Sequence, residues 1–255
     1  MAYKIVVDAG HGGSDPGAVY NGRQEKDDTL ALAMRVGNYL SNAGFSVDYT
    51  RTTDVYDTPF EKATKANQVG ANLFVSIHRN SSPTANTYDG VQTLVYNDSG
   101  MKAQLARNIN DNLEALGFRN LGVVERPNLV VLRRTKMPAV LVEVGFINSD
   151  QDNERFDGSI DEIAEGIADA IIDTLGSQGI YGNGGTNYAV QIGAFRNRNL
   201  AIQLTYELRN QGFQANIVME DGLYKVRIGD FASLDAAVEL EQTLRMMGYN
   251  TFIVS

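Results

Sequence analysis

The octet Tyr188-Ala189-Val190-Gln191-Ile192-Gly193-Ala194-Phe195 returns 36 positions later as Tyr224-Lys225-Val226-Arg227-Ile228-Gly229-Asp230-Phe231. The register continues without a gap through Leu204/Leu240, Leu208/Leu244, Arg209/Arg245, Gly212/Gly248 and Ile217-Val218/Ile253-Val254. Such a repeat constrains the fold strongly, because both copies must build the same unit. Each copy reads as strand, helix, strand. Together they predict a small βαββαβ domain of ferredoxin or RNP type over 188–255, four strands with two helices on one face. Two copies are too few for an open solenoid, so the unit must close on itself.

Residues 176–187, Gly-Ser-Gln-Gly-Ile-Tyr-Gly-Asn-Gly-Gly-Thr-Asn, carry no charge and little apolar content. This stretch reads as a flexible linker. Residues 1–175 follow another pattern, in which short apolar runs alternate with helical periodicity. Strands are expected at Ile5-Val6-Val7, Phe45–Tyr49, Leu73–Ile77, Val91–Tyr96, Leu129–Leu132 and Ala139–Val144. Helices are expected at 28–42, near 59–69, at 100–116 and at 159–175. Alternating β and α with strands apolar on both sides predicts an α/β unit, a mixed sheet covered by helices on both faces.

Composition removes several kinds of chemistry. The chain has no Cys, which excludes disulfides, thiolate metal sites and cysteine nucleophiles, so any metal must be held by His, Asp or Glu. A net charge of -9 opposes a partner bound through its phosphates, so neither nucleic acid nor an anionic membrane is expected. Met1 runs directly into the apolar run at Ile5, with no signal-peptide pattern, and no stretch reaches the roughly 18 apolar residues of a membrane span. Synthesis in the cytoplasm is the expectation.

The chain contains two His, and both follow apolar strands: His11 after Ile5-Val6-Val7-Asp8, and His78 directly after Val75-Ser76-Ile77. The C-terminal ends of strands are where open α/β sheets bind ligands. A lone His is more often a satisfied polar residue than a ligand. Two at equivalent rim positions, one inside Gly10-His11-Gly12-Gly13, make a candidate metal pair. A hydrolytic zinc site takes three protein ligands and leaves one position open. Glu25 is the natural third, although a carboxylate at a helix N-terminus is also explained by the helix dipole. Glu143 interrupts the apolar run Ala139-Val140-Leu141-Val142-Glu143-Val144-Gly145-Phe146. An acid there is either salt-bridged or functional, and beside a metal it could act as general base. The glycine cluster lacks the Gly-Lys-Ser/Thr of a P-loop, and no Gly-x-Ser-x-Gly elbow is present.

Four ordered motifs, Asp8-Ala9-Gly10-His11-Gly12-Gly13-x-Asp15-Pro16-Gly17, Glu25-Lys26-Asp27, Ser76-Ile77-His78-Arg79-Asn80 and Pro138–Phe146, resemble the zinc N-acetylmuramoyl-L-alanine amidases of the amidase-3 family. The resemblance covers roughly residues 3 to 175. It implies one Zn2+ on His11, Glu25 and His78, with Glu143 as the catalytic glutamate. The bond cut would be the amide between the muramic-acid lactyl group and L-alanine in peptidoglycan. Asn80 and Asn67 would face the substrate. Where the family usually has Arg, five residues before Asn67, this chain has Lys62, which cannot make a bidentate carboxylate contact. Asp8-Ala9-Gly10 also stands where Asp-Pro-Gly is commoner.

Residues 188–254 resemble a SPOR domain, a module that recognises glycan strands stripped of stem peptides. Strand alternation puts Val190, Ile192, Val226 and Ile228 against the helices and turns Gln191, Phe195, Lys225, Arg227 and Phe231 toward an open, glycan-binding face. The architecture is then a peptidoglycan hydrolase with a wall tether, acting at the bacterial cell wall after release, as mother-cell lytic amidases and prophage endolysins do. The competing reading is a non-catalytic wall-binding protein with a structural zinc site. Glu143 argues against it, since a binder has no use for an acid in an apolar strand.

Overall fold

A computed structural model describes residues 3–177, 188–231 and 233–254. They divide near residue 172 into two compact units. Of the expected linker, 178–187 lie outside the described residues, while Gly176 and Ser177 end a helix.

The first unit runs β1 (Lys4–Ala9), a short hairpin of β2 (Val19–Tyr20) and β3 (Arg23–Gln24), α1 (Glu25–Asn42), β4 (Ser46–Tyr49), α2 (Pro59–Gln68) and β5 (Leu73–Asn80). It continues with β6 (Val91–Val95), α3 (Gly100–Ala115), β7 (Asn120–Glu125), α4 (Val130–Arg134), β8 (Ala139–Phe146), α5 (Asp150–Gly158) and α6 (Ile160–Ser177). Six strands form one mixed sheet in the order β4-β1-β5-β8-β6-β7. The block from β4 to β8 is parallel, β6 is antiparallel to β8, and β7 is parallel to β6. β1, β5 and β8 lie inside the sheet and read as nearly continuous apolar runs because both their faces are covered. Leu32, Ala33, Val36 and Leu40 give α1 one buried stripe at helical spacing. α2 begins with a capping box, in which the Thr58 hydroxyl accepts from the Glu61 N–H and the Glu61 carboxylate accepts from the Thr58 N–H.

Three expectations change. Leu129–Leu132 is not a strand: it enters α4, whose Val131 and Leu132 pack with Ala66, Phe74, Leu94 and Leu141 over the lower sheet face. A four-residue apolar run has no periodicity to separate strand from helix, and tertiary cover decides it. β7 and α5 were not expected. β7 is a half-buried edge strand. α5 buries only Asp152 and Phe156, so it lacks an apolar stripe; the Ser149 hydroxyl caps it by accepting from the Asp152 N–H.

The second unit contains β9 (Tyr188–Phe195), α7 (Arg198–Asn210), β10 (Ala215–Glu220), β11 (Leu223–Phe231), α8 (Leu234–Met246) and β12 (Phe252–Val254). Its sheet is antiparallel throughout, in the order β10-β11-β9-β12. Val190, Val226 and Ile228 pack with Ala201, Leu208, Ala237 and Leu244 of the two helices. One expectation about the open face fails. The β9/β11 register slips between Val226 and Arg227 and again between Ile228 and Phe231. Such a bulge puts the residues beyond it on the opposite face from simple alternation. Phe195 pairs with Tyr224 and Phe231 with Tyr188, and both phenylalanines pack against the core. Each ring folds back over the glycine two residues earlier: a Cβ on Gly193 would lie 2.4 Å from the Phe195 ring, and one on Gly229 2.0 Å from that of Phe231. Gln191 pairs with Arg227 and Lys225 with Ala194, on the other face.

Candidate metal centre

The centre lies at the C-terminal ends of β1, β5 and β8. Beyond β1 the chain turns sharply, with the Gly10 N–H donating to the Ile77 carbonyl and His11 in the left-handed region at φ 58°. That conformation strains a non-glycine residue and persists only where its surroundings enforce it. Here two cations enforce it. The Lys62 ammonium, buried against Asp8 at 3.0 Å, donates to the Ala9 and His11 carbonyls, and the Arg51 guanidinium donates to those of Ala9, Gly10 and Lys26. Gly10 is required by close approach, since a Cβ there would meet the His78 ring at 2.5–2.8 Å. Lys62 is thus no substrate contact but the clamp on the His11 turn.

Glu25 opens α1 and is 4% exposed, between the two imidazoles. Its Oε2 lies 3.1 Å from His11 Nε2 and accepts from the Ala18 N–H; its Oε1 lies 2.9 Å from His78 Nδ1 and accepts from the Arg79 N–H. The far nitrogen of His11, Nδ1, is 2.8 Å from Asp15 Oδ2, which fixes the ring and points Nε2 inward. Asp15 is a candidate orienting residue that the sequence does not single out, although it stands four positions from His11. The three ligating atoms fall within 4.8 Å of one another. A tetrahedral ion with bonds near 2.1 Å keeps its donors about 3.4 Å apart, so two imidazoles and a carboxylate so spaced fit a zinc-like ion.

The charges follow from these contacts. Burial alone would raise the Glu25 carboxyl, but hydrogen bonds and charge from the two imidazoles outweigh it and hold the group far below the usual carboxylate range. Burial would lower His11; Glu25 and Asp15 overcome it and raise it above its ordinary value. Asp8 is buried too, and the Lys62 charge with hydroxyl donors from Ser76 and Thr50 keeps it below the normal range.

Glu143 stands in β8 directly opposite His78 of β5. Burial pushes its carboxyl up to about 7; the negative charge of Glu25 adds to this, while the imidazoles and Arg126 oppose it. Its Oε2 is shut off from solvent without a hydrogen-bond partner. A half-buried carboxyl with one sealed, unpartnered oxygen beside such a cluster is costly for stability and useful for proton transfer. Asn80 follows at the end of β5, its amide oxygen accepting from the Ser81 N–H. Asn67 is elsewhere. It closes α2 at the lower edge of the sheet, where its amide donates to the Arg134 carbonyl and accepts from the Lys136 N–H, so it pins the entry to β8. Its amide is engaged at the N-terminal entry to β8, whereas the cluster lies at the C-terminal ends of β1, β5 and β8, so the structure does not bring Asn67 to the cluster.

Residues 5–173 match the N-acetylmuramoyl-L-alanine amidase family, Amidase_3, and residues 184–255 match the SPOR domain. The chain is 37% identical over 224 residues to the N-acetylmuramoyl-L-alanine amidase CwlM of Bacillus licheniformis, covering 86% of this chain and 85% of that one. It is 35% identical, with the same coverage, to a sporulation-specific N-acetylmuramoyl-L-alanine amidase of Bacillus subtilis, and 35% identical over 182 residues to an endolysin of Bacillus phage SPP1, covering 69% of this chain and 67% of that one. Among solved structures, an N-acetylmuramoyl-L-alanine amidase of Clostridium difficile superposes with a TM-score of 0.65 at 34% identity, over 69% of this chain and 98% of that one. The strand-end cluster, the family match across the first unit and a relative spanning most of both units agree: the chain belongs to the N-acetylmuramoyl-L-alanine amidase family and carries a SPOR domain.

Proposed function

We propose that this amidase holds one Zn2+ on His11, Glu25 and His78, and that Glu143 moves the protons as it cuts the amide between the lactyl group of N-acetylmuramic acid and L-alanine. Zinc so placed supplies a Lewis acid that polarises the scissile carbonyl and makes water easier to deprotonate. The Glu143 carboxylate takes a proton from the attacking water as its oxygen bonds to the carbonyl carbon. It then delivers that proton to the amide nitrogen as the C–N bond breaks. The products are a free lactyl carboxylate on the glycan and a new L-alanine amino terminus. Asn80, two residues beyond His78 at the end of β5, is the residue we assign to substrate contact. Asp15 and the Ala18 and Arg79 N–H groups keep His11 and Glu25 in ligating orientation.

The observation that carries this reading is Glu143: a carboxylate with an unpartnered buried oxygen, paired across two strands with a ligand histidine. The test is a digest of purified peptidoglycan by the zinc-loaded chain, with new L-alanine amino termini counted and fragments weighed. Release that Glu143→Gln abolishes supports the assignment. Equal release by the variant removes the proton role, and cleavage within the stem peptide would make the substrate bond a different one.

The SPOR domain binds peptidoglycan. Within it, Gln191, Lys225 and Arg227 share the sheet face away from the helices and are the residues we assign to strands stripped of stem peptides. Tethering of this kind raises the local concentration of cleavable bonds. Relatives that include a sporulation-specific amidase and a phage endolysin support lytic action at the wall after release from the cytoplasm.

A further inference from the structure

Arg79 follows the ligand His78 in β5 and is 2% exposed. Its guanidinium donates to Asp28 Oδ2 at 2.7 Å and to Asn153 Oδ1 at 2.7 Å, and lies 4.2 Å from the centre of the Phe156 ring, while Nε has no hydrogen-bond partner. Arg23 completes the group, donating to the same Asp28 oxygen and holding Asp157 with two bonds. A buried arginine with an orphan donor is a poor route to stability, since an apolar side chain of similar volume often serves as well. What such a network does provide is fixed geometry.

The geometry it fixes is that of Glu25. Asp28 stands three residues after Glu25 on α1, on the same helix face, and the Arg79 backbone N–H donates to Glu25 Oε1. Asn153, Phe156 and Asp157 all belong to α5, so α5 grips through Arg79 and Arg23 the two elements that carry Glu25 and His78. Asp152 of the same helix accepts from the N–H groups of Phe146 and Gly90, which fastens the end of β8 just past Glu143.

We infer that Arg79 is a positioning residue for the metal ligand Glu25, held in place by α5, and that this contact sets how tightly the metal is bound. The inference rests on the metal reading above. Residues that orient a ligand typically change metal affinity by about 10–100-fold when removed.

The experiment measures the zinc affinity of the full chain by competition with a chromophoric chelator, with thermal unfolding of the metal-free chain in parallel. Arg79→Lys keeps the charge but cannot reach Asp28 and Asn153 together. It should weaken zinc binding by about 10–100-fold. Asn153→Ala, which removes one partner at the α5 end, should weaken it in the same direction by less, and remains informative if Arg79→Lys fails to fold. Variants that melt earlier yet bind zinc as tightly as the unsubstituted chain would overturn the positioning role and leave a structural one. If the unsubstituted chain binds no zinc, the metal reading falls, and this inference with it.

Discussion

In the catalytic unit the interior holds Asp8 against Lys62, Arg79 against Asp28, and Glu25 between two imidazoles. The repeat domain instead closes over Val190, Val226, Ile228, Ala201, Leu208 and Leu244, and its Glu220 partner to Lys225 and Arg227 stays in solvent. Burying charge requires a core large enough to offset the desolvation, and the smaller repeat domain buries less of it, Arg198 of α7 being its one buried charged side chain among the described residues. The larger unit spends that capacity where side-chain geometry must be held, around the candidate metal cluster of His11, Glu25 and His78. The smaller one recognises its ligand from a surface and needs no such interior.

The contrast can be broken most forcefully at Glu143. Glu143→Gln should lower turnover by about 10²–10⁴-fold, the usual contribution of a positioned acid–base group. Binding of the same protein to insoluble wall should not change, because the repeat domain contains no His and no part of the metal cluster. Chelation should give the same split. A pull-down and an activity assay on one sample check both, and a parallel fall in the two would dissolve the division of labour.

Lys62→Met is the next largest. It leaves the fully buried Asp8 without its cation, and breaking a buried pair costs about 3–5 kcal/mol. The loss should appear in amide hydrogen exchange of the first unit and be absent from residues 188–254. Acid should separate the units in the same sense. Asp8 is held below its ordinary value, so the folded unit binds fewer protons than the unfolded chain. Its contribution is fully present above the unfolded pKa, near 3.9, and is lost as the pH falls through the lower folded value. In the repeat domain the lowered group, Glu220, is exposed and screened. Below about pH 4 the catalytic unit should therefore lose exchange protection first.

Gly229→Ala reverses the contrast, because its damage should be confined to the repeat domain. The added methyl would collide with the Phe231 ring at a backbone φ of 85°, and overpacking of this kind costs about 1–3 kcal/mol. Exchange protection should fall across β9 and β11 with amidase turnover on soluble substrate unchanged.

How much of this was legible beforehand depends on what each residue leaves in the sequence. His11, His78 and Glu143 could be read because each is a polar residue at or inside an apolar strand, and strand ends are where sheets bind ligands. The repeat gave its own topology. α5 could not be read: its contribution lies in Asp152, Asn153 and Asp157, polar residues that look like solvated surface until Arg79 and the end of β8 are brought against them. Asn67 was misplaced because its neighbours do not say which end of the sheet a helix terminus reaches. Phe195 and Phe231 went to the wrong face for a more general reason. Alternation has a period of two, so a bulge at one residue inverts everything beyond it, and Ile-Gly-x-Phe gives no outward sign of the slip.

That inversion sharpens the smallest effect expected. With both phenylalanines packed on the core, the face proposed for glycan is polar, formed by Gln191, Lys225 and Arg227. Cleavage by the catalytic unit frees a lactyl carboxylate on each stripped muramic acid where the intact substrate has an amide, so the product carries at that position a charge that these two cations can meet. Both cations are already engaged by Glu220, so binding exchanges one carboxylate for another and the net gain is modest. Arg227→Gln should weaken binding to stripped glycan by about twofold to fivefold at low salt, with the difference shrinking as salt is raised. Glu220→Gln releases Arg227, while Lys225 keeps Asp221, and should strengthen the same binding, whereas Phe231→Leu should lower stability and leave affinity in place. Isothermal titration with stripped and intact glycan oligomers distinguishes these outcomes, and a larger loss of affinity from Phe231→Leu than from Arg227→Gln would return the aromatic residues to the binding face.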